Sequence, residues 1–136
     1  RQLYFGNLDL ELHHRFDPEG EEQVEDVKKR IADKNTVIPP LAEDRFLCAF
    51  GHIFSGGYAA GYYSYKWAEV LSADAFSAFE DVGLDNHDAV KETGLRFRDT
   101  VLGLGGSQDP NKVFAAFRGR TPSVDALLRH NGLSGL

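Results

Sequence analysis

Helix breakers cut this chain at short intervals, and no stretch between them alternates apolar and polar residues long enough to make a strand. The breaks are Phe16-Asp17-Pro18-Glu19-Gly20, Pro39-Pro40, Gly56-Gly57, Gly83, Gly105-Gly106-Ser107 and Asn131-Gly132. Proline removes a backbone donor and fixes φ, while glycine gives up conformational order at a helix end. What lies between is of helical length, so the fold class is all-α. The 136 residues are room for one ordinary domain.

The spacing predicts a first helix over Arg1 to His14, with Leu3, Tyr4, Leu8 and Leu12 close to one stripe. A second is predicted over Glu21 to Ala32, acidic at its start and basic at its end, in the sense that complements the helix dipole. A short helix follows over Glu43 to Gly51. The longest is predicted over Tyr58 to Asp81, closing near Gly83. Asp85 is expected to cap the next, which runs to about Gly103. Asp109-Pro110 and Thr121-Pro122 each pair a capping residue with a proline, predicting two further helix starts, and Gly132 is expected to close the last.

Fifteen basic residues against twenty-one acidic ones leave a formal charge of -6. That argues against nucleic acid as a partner, since a phosphate backbone needs a basic face. No apolar run reaches 18 residues, so no helix is expected to span a membrane. A single cysteine excludes an internal disulfide and a cysteine-built zinc site. Cys48, in the apolar run Phe46 to Phe50, is expected to be a buried small hydrophobe. With Arg1 first and no methionine anywhere, the chain is expected to be a processed product or a piece of something longer.

Four of the five tyrosines fall within eight residues, at 58, 62, 63 and 65. On a continuous helix Tyr58, Tyr62 and Tyr65 would share one face, with Tyr63, Trp67 and Val70 on the opposite, core-packing side. A buried phenol needs a partner, so three in a plain core are costly. They follow a Ser-Gly-Gly segment with His52 just before it. Phenols stay protonated at neutral pH and can donate to a developing negative oxygen, as His52 also can. The glycines would let such donors close over substrate. No nucleophile with an adjacent base is evident, and no H-E-x-x-H is present. The neighbouring His13 and His14 cannot share a helix face and are read as solvated, and His87 and His130 are expected to do no chemistry.

The run from Phe50 to Leu71, with its His52, Gly56-Gly57-Tyr58 and Gly61-Tyr62-Tyr63-Ser64-Tyr65, closely resembles the C-terminal part of the zinc oligopeptidases of the thimet oligopeptidase, neurolysin and oligopeptidase A family. The resemblance extends to Asp9-Leu10-Glu11-Leu12-His13, Pro39-Pro40 through Phe46, Asp74-Ala75-Phe76, and Phe117-Arg118-Gly119-Arg120 through His130. In detail it is greatest with plant and algal organellar members, then with the bacterial branch. It implies that residues 1–136 are the C-terminal helical segment of a larger, mainly helical, two-lobed peptidase rather than a complete catalytic domain. By the same resemblance Tyr65 is the oxyanion donor and His52 contacts substrate near the scissile bond. Tyr58, Tyr62, Gly56 and Gly57 form the substrate-binding set. No metal ligand lies in this chain. Zinc, held by H-E-x-x-H and a further Glu, would belong to the full-length enzyme, so the segment alone is expected to be inactive. The implied partners are short peptides, targeting-peptide fragments among them, and the remainder of the peptidase chain or other subunits. The implied compartment is the chloroplast or mitochondrion, with the cytoplasm as alternative. Two other possibilities stand beside it: a non-catalytic helical accessory or structural subunit of a larger assembly, and a small metal site built from the chain's own histidines.

Overall fold

The computed structural model describes residues 1–133, and every regular element among them is helical, as predicted. The chain divides into two compact units, Arg1–Lys66 and the stretch from Trp67 onward.

In the first unit, α1 (Gln2–Leu10) runs into a wider π turn, Glu11–Arg15, and packs on α2 (Val24–Asn35). Helix α2 starts at Val24 rather than Glu21, because the Gln23 N–H donates to the Asp26 carboxylate at 3.0 Å and sets the first turn there. Glu22, left outside, instead accepts from Arg30, which also donates to Glu11 at 2.9 Å. Lys28 is buried in mid-helix, with its ammonium 2.5 Å from Glu25 and donating to the Asp44 carbonyl at 2.7 Å.

Tyr4, Phe5 and Leu8 from α1 meet Val27, Ile31 and Ala32 from α2 in one core. Leu3, expected on the apolar stripe, is 61% exposed, and Phe5 takes the inward place. Leu8 is fully buried, worth roughly 1.5–3 kcal/mol. Helix α3 (Phe46–Ala49) and the 3-10 turn Gly51–Ile53 add Leu47, Phe50 and Ile53. Phe5 stacks on Phe46 at 4.4 Å, and Phe46 lies 4.7 Å from Phe50. Cys48 is exposed, not buried as expected. One turn of helix turns Leu47 and Phe50 inward and leaves Cys48 and Ala49 on the outer side.

Helix α4 (Ser64–Asp81) starts within the first unit and runs into the second, and Gly83 follows it at φ 81°. Tyr58 to Tyr63 is turn and loop rather than helix. Of the three residues expected on its core side only Val70 is buried; Tyr63 and Trp67 are about half exposed.

In the second unit, α5 (His87–Phe97) continues through a π turn, Arg98–Leu102. Its cap is Asn86, whose side chain accepts from the Ala89 N–H at 3.3 Å, one residue beyond the expected Asp85. A 3-10 turn occupies Gly105–Ser107. Helix α6 (Pro110–Arg118) starts as predicted, with Asp109 accepting from the N–H groups of Asn111 and Lys112. Helix α7 (Asp125–His130) does not start at Thr121-Pro122; Ser123 instead accepts from the Asp125 N–H at 3.1 Å. Gly132 stands in the left-handed region at φ 70° just beyond α7.

Val70, Ala78, Val113, Phe114, Phe117 and Ala126 are buried apolar residues of this unit, and Phe97 meets Phe117 edge-on at 5.2 Å. Asp74 of α4 is buried among them, its carboxylate gripped by both Arg120 Nη atoms at 2.7 and 2.5 Å and by the Ser123 N–H at 2.7 Å. Burial alone would push its pKa up. The Arg120 fork, the Ser123 N–H and the nearby Arg118 outweigh it and hold the carboxyl below its ordinary range.

Candidate functional site

The rings of His52, Tyr58, Tyr62 and Tyr65 gather in the first unit, although Tyr58 and Tyr62 do not lie in a helix. Tyr58 and Tyr65 lie 5.0 Å apart, Tyr62 and Tyr65 5.1 Å, His52 and Tyr62 5.8 Å, and His52 and Tyr58 6.2 Å. The shared helix face predicted for the tyrosines is therefore corrected. Tyr58 lies in a loop, Tyr62 in a turn and Tyr65 in the first turn of α4, and loop closure rather than helical period brings them together.

The segment 51–58 closes on itself. The N–H groups of Ser55 and Gly56 both donate to the Gly51 carbonyl at 2.8 Å, and the Tyr58 N–H donates to the His52 carbonyl at 3.0 Å. The two glycines serve different needs. A Cβ at Gly56 would stand 2.8 Å from the His52 Cα, closer than any side chain can approach. Gly57 has open space around it but sits at φ 79°, in the left-handed region.

Exposure differs among the four rings. His52 and Tyr65 are exposed, Tyr58 is half-buried, and Tyr62 is buried. The Tyr62 ring meets Phe50 edge-on at 4.9 Å, so it backs the cluster from the core. The Tyr65 phenol is pushed up to about 12, first by its hydrogen bond with the Tyr58 side chain, then by burial and by the neighbouring phenols. It therefore holds its proton well above neutral pH and can serve as a donor.

The loop after the glycines is tied to α1. One Asp9 carboxylate oxygen accepts from the Ala60 N–H at 2.9 Å, and the other accepts from the Tyr62 N–H at 2.9 Å. Asp9 has no solvent exposure. Ala60 stands at φ 55°, unusual for a residue with a side chain. The His13 ring, expected to be solvated, lies with Nδ1 2.9 Å from the Asp9 carboxylate and 3.0 Å from the Asp9 carbonyl. Sequence reasoning missed Asp9 as part of the site. The signal lay in its place on the inward side of an apolar helix, with a histidine four residues on.

His130 faces Glu80 at 2.9 Å, and Arg129 also pairs with Glu80. Among the described residues no group of three or more His, Cys, Asp or Glu side chains comes close enough to hold a metal ion. These described donors thus do not make up a zinc site, and the phenols and imidazole of the cluster are groups able to donate hydrogen bonds.

Residues 1–133 match the family model described as peptidase family M3. The chain belongs to peptidase family M3. Among the M3 relatives, organellar oligopeptidase A, chloroplastic/mitochondrial, of Arabidopsis thaliana is 68% identical over 133 residues, which is 98% of this chain and 17% of that protein. A probable cytosolic oligopeptidase A of the same plant is also 68% identical, over 98% of this chain and 19% of its own length. Oligopeptidase A of Escherichia coli is 48% identical over 135 residues, 99% of this chain and 19% of the relative. The chain thus spans less than a fifth of the length of these M3 relatives.

Proposed function

We propose that this chain is the C-terminal part of a zinc-dependent M3 oligopeptidase and supplies the hydrogen-bond donors that act on a bound peptide. The observation that carries this reading is that the half-buried Tyr58 ring lies beside both the exposed His52 and the exposed Tyr65, with Tyr65 kept protonated. Tyr65 donates to the oxyanion that forms at the scissile carbonyl, and this stronger acceptor takes the place of Tyr58. His52 donates beside it. Tyr58 contacts the peptide, the main chain around Gly56 and Gly57 lets substrate approach closely, and Tyr62, mostly buried, has the smaller share of substrate contact. Zinc would be held by residues outside this chain and would supply the activated water.

Short peptides, including targeting-peptide fragments, are the proposed substrates. The organellar relative supports chloroplast or mitochondrion as the compartment, and the equally identical cytosolic relative supports the cytosol as the second choice. Import of the full-length precursor into isolated organelles separates them.

The test of the site is Tyr65→Phe in the full-length enzyme. Loss of one oxyanion donor lowers kcat about 10²–10³-fold with little change in KM. An unchanged kcat removes Tyr65 from the mechanism. A non-catalytic accessory role has one observation in its favour, an apolar groove of about 680 Å³ in the second unit lined by Leu71, Phe76, Phe79, Phe97 and Phe114. Native material of about 15 kDa in stoichiometric complex with other proteins would support that role, whereas a zinc-bearing species several times heavier supports the peptidase.

A further inference from the structure

We infer that Asp9 is the positioning residue of the tyrosine loop and that, through the loop, it sets the rate of the peptide cleavage proposed above, the reading on which this inference rests. Its carboxylate is fully buried on α1, and the backbone groups it binds lie 51 and 53 residues away in the chain. Each oxygen takes one main-chain N–H, and the His13 imidazole at 2.9 Å makes a third contact. Only an acceptor-only group with two oxygens satisfies both N–H groups while leaving a lone pair for the imidazole. An amide in its place would turn an NH₂ toward one of these groups.

The tie reaches the proposed donors by a short route. The Tyr62 N–H is fixed by Asp9, and the Tyr62 carbonyl accepts from the Tyr65 N–H at 3.3 Å as α4 begins. On the other side the Gly61 N–H donates to the Tyr58 carbonyl at 2.8 Å. Between them Ala60 is held at φ 55°, a conformation that persists in a residue with a side chain only where its surroundings enforce it. Asp9 touches neither substrate nor reacting atoms. It acts by deciding where Tyr58 and Tyr65 stand.

The test uses the full-length enzyme and an internally quenched peptide. A donor displaced by about 1 Å is enough to cost about 10²-fold, so Asp9→Asn is expected to lower kcat by that order while KM stays within about threefold. In the Asp9→Asn, Tyr65→Phe double variant the two losses do not multiply, because both remove the same donor. Amide hydrogen exchange at Ala60 and Tyr62 becomes fast in Asp9→Asn and stays slow in Tyr65→Phe. Multiplying losses, or unchanged exchange at Ala60 and Tyr62, overturn the inference. If Tyr65→Phe alone leaves kcat unchanged, the peptidase role of Tyr65 fails, and the exchange result still decides whether Asp9 fixes the loop. Should Asp9→Asn not fold, His13→Ala keeps both backbone bonds and removes the imidazole from the Asp9 carboxylate and carbonyl. It is expected to lower kcat about fivefold, the worth of one ordinary hydrogen bond, with the same failure to multiply, and unchanged kcat in it overturns the inference.

Discussion

The Tyr58 and Tyr65 rings lie 5.0 Å apart, tilted by 34°, and the hydrogen bond between their side chains is the main reason the Tyr65 phenol is pushed up to about 12. A tyrosine with its folded pKa raised contributes stabilisation that is complete below the ordinary phenol value of about 10 and is lost as pH rises through the folded value. Tyr58→Phe removes the first cause of the shift. The Tyr65 phenolate is then expected to appear closer to pH 10, measured by ultraviolet difference absorbance against the Tyr65→Phe background. A titration that stays near 12 would assign the shift to burial instead.

The two glycines of the loop are expected to fail differently. Gly56→Ala forces a Cβ onto the His52 backbone, an overpacking cost of about 1–3 kcal/mol that displaces His52. Gly57→Ala meets no neighbour and bears only the left-handed backbone cost, about 1–2 kcal/mol. Thermal unfolding of the full-length variants gives the two stabilities. A His52 ring resonance that shifts in Gly56→Ala and not in Gly57→Ala gives the distinction.

Acid stability is expected to depend on Asp74. Its folded pKa lies below the ordinary carboxylate value, so its stabilisation is present above about pH 4 and is lost as pH falls through the lowered value. A fully buried pair that loses one partner costs about 3–5 kcal/mol; Arg120 is partly exposed, so Asp74→Asn is expected to cost about 2–3 kcal/mol at neutral pH. The difference between wild type and variant should shrink as the pH is lowered toward 3, followed by urea midpoints. A constant difference would show that the carboxylate charge is not the cause.

Ile53 is fully buried directly after His52. Ile53→Ala is expected to cost about 2–5 kcal/mol, and Ile53→Val about 0.5–1.5 kcal/mol, as cavity terms at a closely packed site. Equal effects of the two variants would mean that the site collapses onto the gap.

What could be read from the sequence is what neighbours in sequence decide. Asp109 caps the helix that Pro110 opens, Gly83 and Gly132 lie just past helix ends, and the all-α class follows from the breakers alone. Where α2 starts and which residue caps α5 are settled by contacts within three residues, but two larger departures trace to distant partners. Ala59 to Tyr63 has no residue that forbids a helix other than Gly61, yet Asp9 captures the N–H groups of Ala60 and Tyr62 and holds the segment as turns. Thr121-Pro122 has the form of a helix start, but Asp74 takes the Ser123 N–H, and α7 waits until Asp125. The tyrosine cluster was legible as a set of residue types, while its geometry depended on a carboxylate 51 and 53 residues from the N–H groups it binds.

The link from Asp9 to residues 60 and 62 bears on how this segment can be transplanted. A graft of residues 51–65 alone into another helical scaffold would carry the ring-bearing side chains and leave behind the clamp that shapes them. Engineering this loop, or exchanging it between related peptidases, therefore means moving two stretches of polypeptide together, the aromatic one and the opening helix that governs it.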